Sequence, residues 1–551
     1  MGFIVRQVSS LEKIRKNEGL HCNEISNKIA LAGERFSYQV SVQADCKMET
    51  DVKADISVES EFGNNVKLYL VKDVYLDKPY TEQDMEEEDY ITHEPCIMPD
   101  VLVPVEEQKN ICCLGENNTF WVKVDIPNNT VPGKYSVSVN VTSKDFNSDG
   151  KKELDIHVTM DIEVIPVVVE QQKLIYTRWF HADCIAVQHG VEVYSEAHWK
   201  LIDKYIGAAA DVGINMILVP IHTPPLDTAI GTVRPCVQLV DIEKIGNRYA
   251  FSFGKFKRFI NICKKNGIQY FEMAHMFSQW GAKYAPNIMV TENGKKVYMF
   301  GWHVSANSQE YVDFLKQYIA AISKELELEG IRENTYFHIS DEPTLDNIDS
   351  YKIASDIMSS LIGTSKTMDA LSNYDFYEKG LVECPVTIMS RIHDFLEHKI
   401  ENQWVYYCNS PQMAMPSYRL RILGFLLYKY NIKGFLHWGF NFYFSEESRY
   451  PINPFLTTSG DKASFPSGDP FIVYPGRDNV YPSIRGEVTY DAIQDMDICR
   501  TLEKYIGRAA VVEMIDEAAG FELRFDHYPK NKEFIEGLRA KMIEAVKEKS
   551  W

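Results

Sequence analysis

Asp341 and Glu342 stand side by side in Ser340-Asp341-Glu342-Pro343, where an apolar run that reads as a strand gives out. Two abutting carboxylates are costly to bury without a purpose. Successive strand residues point to opposite faces, so such a pair does not face itself across a bond as a nucleophile and an acid would. Where the chain turns at a strand end, both can address neighbouring atoms of one substrate. Glu342 could then protonate a leaving oxygen while Asp341 orients a group beside the reacting carbon. A 2-acetamido group is such a neighbour, and its carbonyl oxygen can displace the leaving group with no protein nucleophile. On a surface the same dipeptide is a solvated pair; its strand-end position favours chemistry.

Other groups fall at the ends of similar runs. These are His181 and Asp183, His222, His275 with Trp280 just beyond, Asp369, Trp404 with Tyr406, and Trp438 with Asn441. Flat aromatic faces beside hydrogen-bonding groups suit a sugar, whose rings have apolar faces and polar edges. Each candidate has a plainer reading. The three histidines lack HxH or HxxxH spacing, so hydrogen-bonding roles outweigh zinc ligation and neither metal nor cofactor is expected. Trp280, Trp404 and Trp438 suit a barrel core as well as a subsite. Asp183 and Asp369 could be structural partners of Arg178 or Lys366. No GxSxG elbow supports a serine hydrolase.

The elements that must carry these residues follow from periodicity. Phe36, Tyr38, Val40 and Val42 alternate with polar neighbours, as do Tyr135 to Val141 and Ile156 to Val164. This is the pattern of antiparallel sheets with one face on a core, and it predicts a β-sandwich over 1–170. The acidic run Glu86-Glu87-Glu88-Asp89 within it reads as a solvated loop rather than a cation site. Beyond Lys173, short apolar runs at 174–183, 215–221, 268–276, 334–341, 367–372, 386–392, 403–409 and 432–441 alternate with helical segments. Ser195 and Ser308 are in place to cap two of those helices, and Gly213 to stop the first. Eight such units predict a (β/α)8 TIM-like barrel over 171–505. A doubly wound sheet fits less well, because no GxGxxG follows the first strand. A C-terminal helical segment, 506–551, completes the expected α/β and β organisation.

Composition sets the outer limits. The 551 residues are 45% hydrophobic and 25% charged, which describes a folded protein. A net charge of −20 without basic runs argues against nucleic acid. No stretch reaches the ~20 apolar residues of a membrane span. The eleven scattered cysteines form no CxxC pair, and Cys112 and Cys113 are adjacent; together with charged residues from Arg6 to Arg15, this predicts a cytoplasmic protein with reduced thiols.

Trp179-Phe180-His181-Ala182-Asp183, Pro224-Pro225-Leu226-Asp227-Thr228, Gln279-Trp280-Gly281-Ala282, Ser340-Asp341-Glu342-Pro343, Gly468-Asp469 and Val473-Tyr474-Pro475-Gly476 follow one another in an order that carries a resemblance. With Ser483-Ile484-Arg485 and the segment from Asp491 to Asp495, the chain over 174–505 resembles glycoside hydrolase family 123 β-N-acetylgalactosaminidases. The resemblance implies a retaining, exo-acting, metal-free hydrolase that removes terminal β-linked N-acetylgalactosamine through an oxazolinium-type intermediate. Glu342 would be its general acid/base, Asp341 the residue stabilising the 2-acetamido group, and Tyr406 part of the acetamido pocket. The substrate would be an oligosaccharide or glycoconjugate, and a homodimer is compatible with the family. Three alternatives stay open: a β-N-acetylglucosaminidase, a β-hexosidase with Glu272 or Asp369 as protein nucleophile, and a non-catalytic carbohydrate-binding protein.

Overall fold

The computed structural model describes the chain except residues 1–2, 21, 45–51, 82–88, 109, 114–115, 144–153, 399, 408–412, 462–464 and 551. Its residues divide into two compact units. One comprises Met1–Lys173, Pro411–Lys429 and Tyr481–Trp551; the other comprises Leu174–Ser410 and Tyr430–Val480.

In the first unit the alternating runs form two five-stranded sheets. Phe3–Ser9, Arg35–Ala44, Asn118–Asp125, Val66–Leu76 and Cys96–Pro104 neighbour one another in that order. The second sheet runs Asn27–Ala32, Leu154–Val168, Gly133–Ser143, Val52–Ser60, Asn110–Cys113. Phe36, Tyr38, Val40 and Val42 meet Val137, Val139, Val141, Met160, Ile162 and Val164 in one core. Pairing is antiparallel except between Asn27–Ala32 and Leu154–Val168. Those two strands are far apart in sequence, so no hairpin turn dictates their direction. Glu86, Glu87 and Glu88 lie outside the described residues. Asp89 is partly buried and accepts two hydrogen bonds from Arg419 at 2.6 and 2.7 Å. The cysteines Cys112 and Cys113 pair in register with Lys53 and Val52 through their backbones. This unit also holds the helices Tyr418–Lys429, Ile484–Ile506, Arg508–Ala519 and Lys532–Ser550.

The second unit is built on a closed barrel of eight parallel strands: Ile175–Arg178, Met216–Val219, Tyr270–Met273, Thr335–His338, Lys366–Leu371, Cys384–Ile388, Trp404–Tyr407 and Gly434–His437. All eight expected runs supply one strand each. The sixth is displaced, because the chain turns helical at Met389 and pairing begins at Cys384. Pro385 sits near the strand's start, where a missing N–H is tolerated. Ser195 and Ser308 each accept the capping N–H of the helix they precede, and Gly213 takes a left-handed φ of 84° where the first of those chains turns back. Met216, Leu218, Met368, Val386, Trp404 and Leu436 fill the barrel interior. Gly434 makes room for Trp404: a Cβ there would lie 1.9 Å from the indole.

A four-stranded sheet in the loops was not foreseen. It joins Asp241–Ile245 and Arg248–Ser252 to Ile288–Glu292 and Lys295–Phe300. Its second hairpin turns on Asn293-Gly294, with φ of 51° and 74°. That dipeptide is a strong hairpin signal.

Candidate active site

The fourth strand ends at His338, and the chain then turns across the barrel rim. Backbone hydrogen bonds fix this turn from both sides. The N–H groups of Met276 and Phe277 donate to the carbonyls of His338 and Ile339, and that of Trp280 to Asp341, while Glu342 donates its own to Ala370. Glu342 takes a left-handed φ of 44°, a conformation that a non-glycine residue holds only where its surroundings impose it. The turn defeats strand alternation: Asp341 and Glu342 both line one pocket.

Each carboxylate is held at one oxygen. Gln279 Nε2 donates to Asp341 Oδ2 at 2.7 Å, and Tyr406 Oη donates to Glu342 Oε1 at 2.8 Å. Asp341 is 4% exposed, and its Oδ1 has no hydrogen-bond partner among the described residues. Burial, and then the neighbouring charge of Glu342, push the Asp341 carboxyl well above the ordinary range.

Aromatic groups form the walls. Trp438 packs edge-on against Phe442 at 5.3 Å and meets Phe465 at 4.7 Å between ring centres. Its Nε1 donates to Asp469 at 2.9 Å. Trp179 lines the pocket and donates its Nε1 to Glu272 at 3.2 Å. Trp280 stands 48% exposed at the edge with a φ of 55°. An exposed indole on a strained backbone is where a ligand's flat face would rest.

Of the residues singled out in sequence, His181, Trp280, Asp341, Glu342, Tyr406 and Trp438 line the pocket. The others are buried and do not line it. Asp183 pairs not with Arg178 but with Arg234, through two hydrogen bonds of 2.8 Å. Arg234 also donates to His181 Nδ1 at 3.1 Å, so Nε2 carries the ring proton toward the Trp438 carbonyl. Burial and the Arg234 charge hold His181 well below its ordinary pKa, hence neutral. Asn441 brackets His181, accepting its N–H and donating to its carbonyl. Trp404 fills the barrel interior beside Gly434, away from the pocket.

Asp369, His275 and His222 belong to a polar network beneath the carboxylate turn. Asp369 pairs with His338 rather than Lys366 and accepts the N–H groups of Ile339 and Ser340 and the Tyr351 hydroxyl. His338 lies between Asp369, at 3.2 Å, and Glu272, at 2.8 Å. Burial alone works against a charged ring here, but the two carboxylates outweigh it and push the His338 pKa up to about 9. His275 stacks on this imidazolium with ring centres 4.0 Å apart. Burial, then the His338 charge, keep it neutral. His222 Nε2 donates to the His275 carbonyl at 2.9 Å, and burial drives its pKa down to about 4. His275, His338 and Asp369 bring potential metal-ligand atoms within 4.8 Å of one another. Both His338 nitrogens and the Asp369 carboxylate already have protein partners, which leaves His275 the one ring with free nitrogens in that trio.

The sequence reading missed Gln279, Asp227, Arg234 and His338 as site residues. Gln279 and Asp227 stand in segments it had picked out, but nothing local shows that the Gln279 amide joins them. Its Oε1 accepts the Asp227 N–H at 2.5 Å while its Nε2 holds Asp341. Asp227 also lines the pocket, and burial pushes its carboxyl up to about 6.

A closed parallel barrel whose strand ends gather carboxylates and indoles around one pocket has the layout of a carbohydrate-processing enzyme. The family comparison agrees: the model for the glycoside hydrolase 123 catalytic domain matches residues 179–502, and the chain belongs to that glycoside hydrolase family. Among solved structures it is similar to a family 123 glycoside hydrolase from Clostridium perfringens, studied for glycolipid glycan hydrolysis. Identity is 16%, coverage is 100% of this chain and 97% of that one, and the TM-score is 0.72. EndoBT-3987 of Bacteroides thetaiotamicron, solved with a Man5GlcNAc product, matches at 8% identity over 83% of this chain and 96% of its own, but a TM-score of 0.22 carries no weight. No curated protein matches the sequence. Among the described residues no helix is long and apolar enough to cross a membrane.

Proposed function

We propose that this glycoside hydrolase is a retaining exo-acting enzyme that removes terminal β-linked N-acetylgalactosamine by substrate-assisted catalysis. The observation that carries the reading is the asymmetry of Asp341: one oxygen held by Gln279, the other buried without a partner in the pocket. An acetamido N–H supplies the donor that this oxygen lacks. As the acetamido oxygen attacks C1, positive charge spreads over the forming ring, and an anionic Asp341 stabilises it. The N–H and the developing charge both oppose the burial that favours a protonated Asp341 in the ligand-free pocket. Glu342, oriented by Tyr406, donates its proton to the leaving oxygen and then takes one from the water that opens the intermediate.

The rival nucleophiles are poorly placed for that work. Glu272 accepts from Thr177, Trp179 and His338, Asp369 is equally engaged, and neither lines the pocket. Asp227 does, and in this reading it accepts a sugar hydroxyl. His181, Trp280 and Trp438 would complete the sugar subsite. The substrate class is a terminal 2-acetamido sugar on an oligosaccharide or glycolipid, the latter by analogy with the Clostridium relative. We further propose a cytoplasmic site of action and a functional division into sandwich (1–170), catalytic barrel (171–505) and C-terminal helical segment (506–551).

The test is hydrolysis of p-nitrophenyl β-GalNAc, β-GlcNAc, β-galactoside and β-glucoside by wild type and Glu342→Gln. Turnover restricted to acetamido sugars and lost in the variant supports the reading, and their ratio gives the C4 preference. Turnover of the plain galactoside would return the nucleophile to the protein and overturn it.

A further inference from the structure

Asp341 and Glu342 stand on a buried turn whose backbone groups must find partners outside a regular strand. Pairing between Thr335–His338 and Lys366–Leu371 stops with His338 opposite Met368. From one side, Met276, Phe277 and Trp280 donate to the carbonyls of His338, Ile339 and Asp341. The N–H groups of the turn go the other way. Ala370 accepts the N–H of Glu342 at 3.1 Å. Its neighbour Asp369 accepts those of Ile339 and Ser340, each at 3.1 Å. Consecutive N–H groups of an extended strand point to opposite sides, so a partner strand's backbone does not take both. A side-chain carboxylate can, and Asp369 takes over where the ladder ends.

The other partners of Asp369 are donors too. Oδ1 faces His338 Nδ1 at 3.2 Å as well as the Ile339 N–H. Oδ2 takes the Tyr351 hydroxyl at 2.6 Å as well as the Ser340 N–H. Burial raises the Asp369 pKa, and the His338, Tyr351 and Ser340 donors work against that rise. With two donors on each oxygen there is no acceptor for a carboxylic proton, and asparagine would turn an NH2 group toward two of those donors. Tyr351, from the helix Ile348–Ile362, packs edge-on against Phe376 at 5.2 Å between ring centres, which holds its hydroxyl in place. Asp369 itself is fully buried and does not line the pocket.

We propose that Asp369 is a positioning residue for the reaction: its carboxylate, held by Tyr351 and His338, sets the backbone from which Asp341 and Glu342 enter the pocket. Gln279 orients the Asp341 side chain, whereas Asp369 fixes the chain beneath it. The effect on rate rests on the hydrolase reading, because Asp369 acts only through those two carboxylates.

The test joins kinetics to hydrogen exchange. Asp369→Asn is expected to lower kcat for p-nitrophenyl β-GalNAc by about 10²-fold and Tyr351→Phe by about tenfold, the scale of a displaced reacting group. Tyr351→Phe removes a single hydroxyl and keeps the measurement open if Asp369→Asn does not fold. Combined with Asp341→Asn, either variant should lose at least about tenfold less than the product of the single losses, whereas a change that only weakens the fold multiplies them. Exchange of the peptide holding Ile339 and Ser340, followed by mass spectrometry, should quicken in both variants while the strand Met216–Val219 stays protected. Unchanged exchange at 339–340, kcat in both variants within about threefold of wild type, or losses that multiply would overturn the proposal. Activity that survives Asp341→Asn would overturn the hydrolase reading instead, and exchange alone then decides whether Asp369 sets the turn.

Discussion

Gln279 ties Asp341 to Asp227: one amide donates to the Asp341 carboxylate at 2.7 Å and accepts the Asp227 backbone N–H at 2.5 Å. The contact joins the ends of three barrel strands, those preceding residues 227, 279 and 341. It also decides which Asp341 oxygen is free. Gln279→Ala releases both ends. Under the proposed mechanism kcat/KM for p-nitrophenyl β-GalNAc falls about 10²-fold, consistent with loss of one hydrogen bond to a charged group. Gln279→Glu places a carboxylate against Asp341 and is expected to be worse than alanine. Equal activity in all three proteins would show that the orientation of Asp341 does not matter.

Asp341→Asn and Glu342→Gln are each expected to lower kcat by about 10³-fold or more, the range for a positioned acid/base or a charge-stabilising group. Azide should not convert Asp341→Asn into an enzyme that releases glycosyl azide of inverted configuration, as it would if Asp341 were a covalent nucleophile. Product analysis by NMR checks this.

The same Asp341→Asn variant should be more stable than wild type at neutral pH. A carboxyl with a folded pKa raised above its unfolded value gives stability that is present at low pH and lost as pH rises past the unfolded value. Asparagine removes that loss. Thermal midpoints at pH 4.5 and 8 should differ less in the variant than in wild type, and a variant midpoint below wild type at pH 8 would contradict this.

His338 has the same sign but a higher pH window. Its folded pKa of about 9 lies above the ordinary ~6.5 of an unfolded histidine, so its contribution is complete below about pH 6.5 and lost as pH rises through 9. The span is worth about 3 kcal/mol, an order-of-magnitude figure. His338→Asn leaves Glu272 and Asp369 facing each other without a cation, and should destabilise by about 3–5 kcal/mol. Denaturant unfolding at pH 6.5 and 9.5 checks both: the gap between variant and wild type should narrow at the higher pH.

Trp280→Ala should raise KM several-fold while changing kcat little, since an exposed indole binds ground state and transition state alike. An equal loss in kcat would instead place Trp280 in transition-state positioning.

Local pattern carried much of this protein. Period-two alternation marked the sandwich strands, and eight apolar runs marked the barrel, because burial of one face or both is written into neighbouring residues. Position at a strand end singled out Asp341 and Glu342, since in a barrel those ends form one rim. What periodicity does not contain is which distant groups meet. Whether Trp404 faced the pocket or the core was decided by Gly434, thirty residues on, leaving room for its ring. Asp183 found Arg234 instead of Arg178, and Asp369 found His338 instead of Lys366, because partners are set by where loops and strands converge rather than by proximity in the chain. The left-handed turn at Glu342 is the last such case: alternation alone sends the two carboxylates to opposite faces, and only the hydrogen bonds from neighbouring strand ends turn both into one pocket.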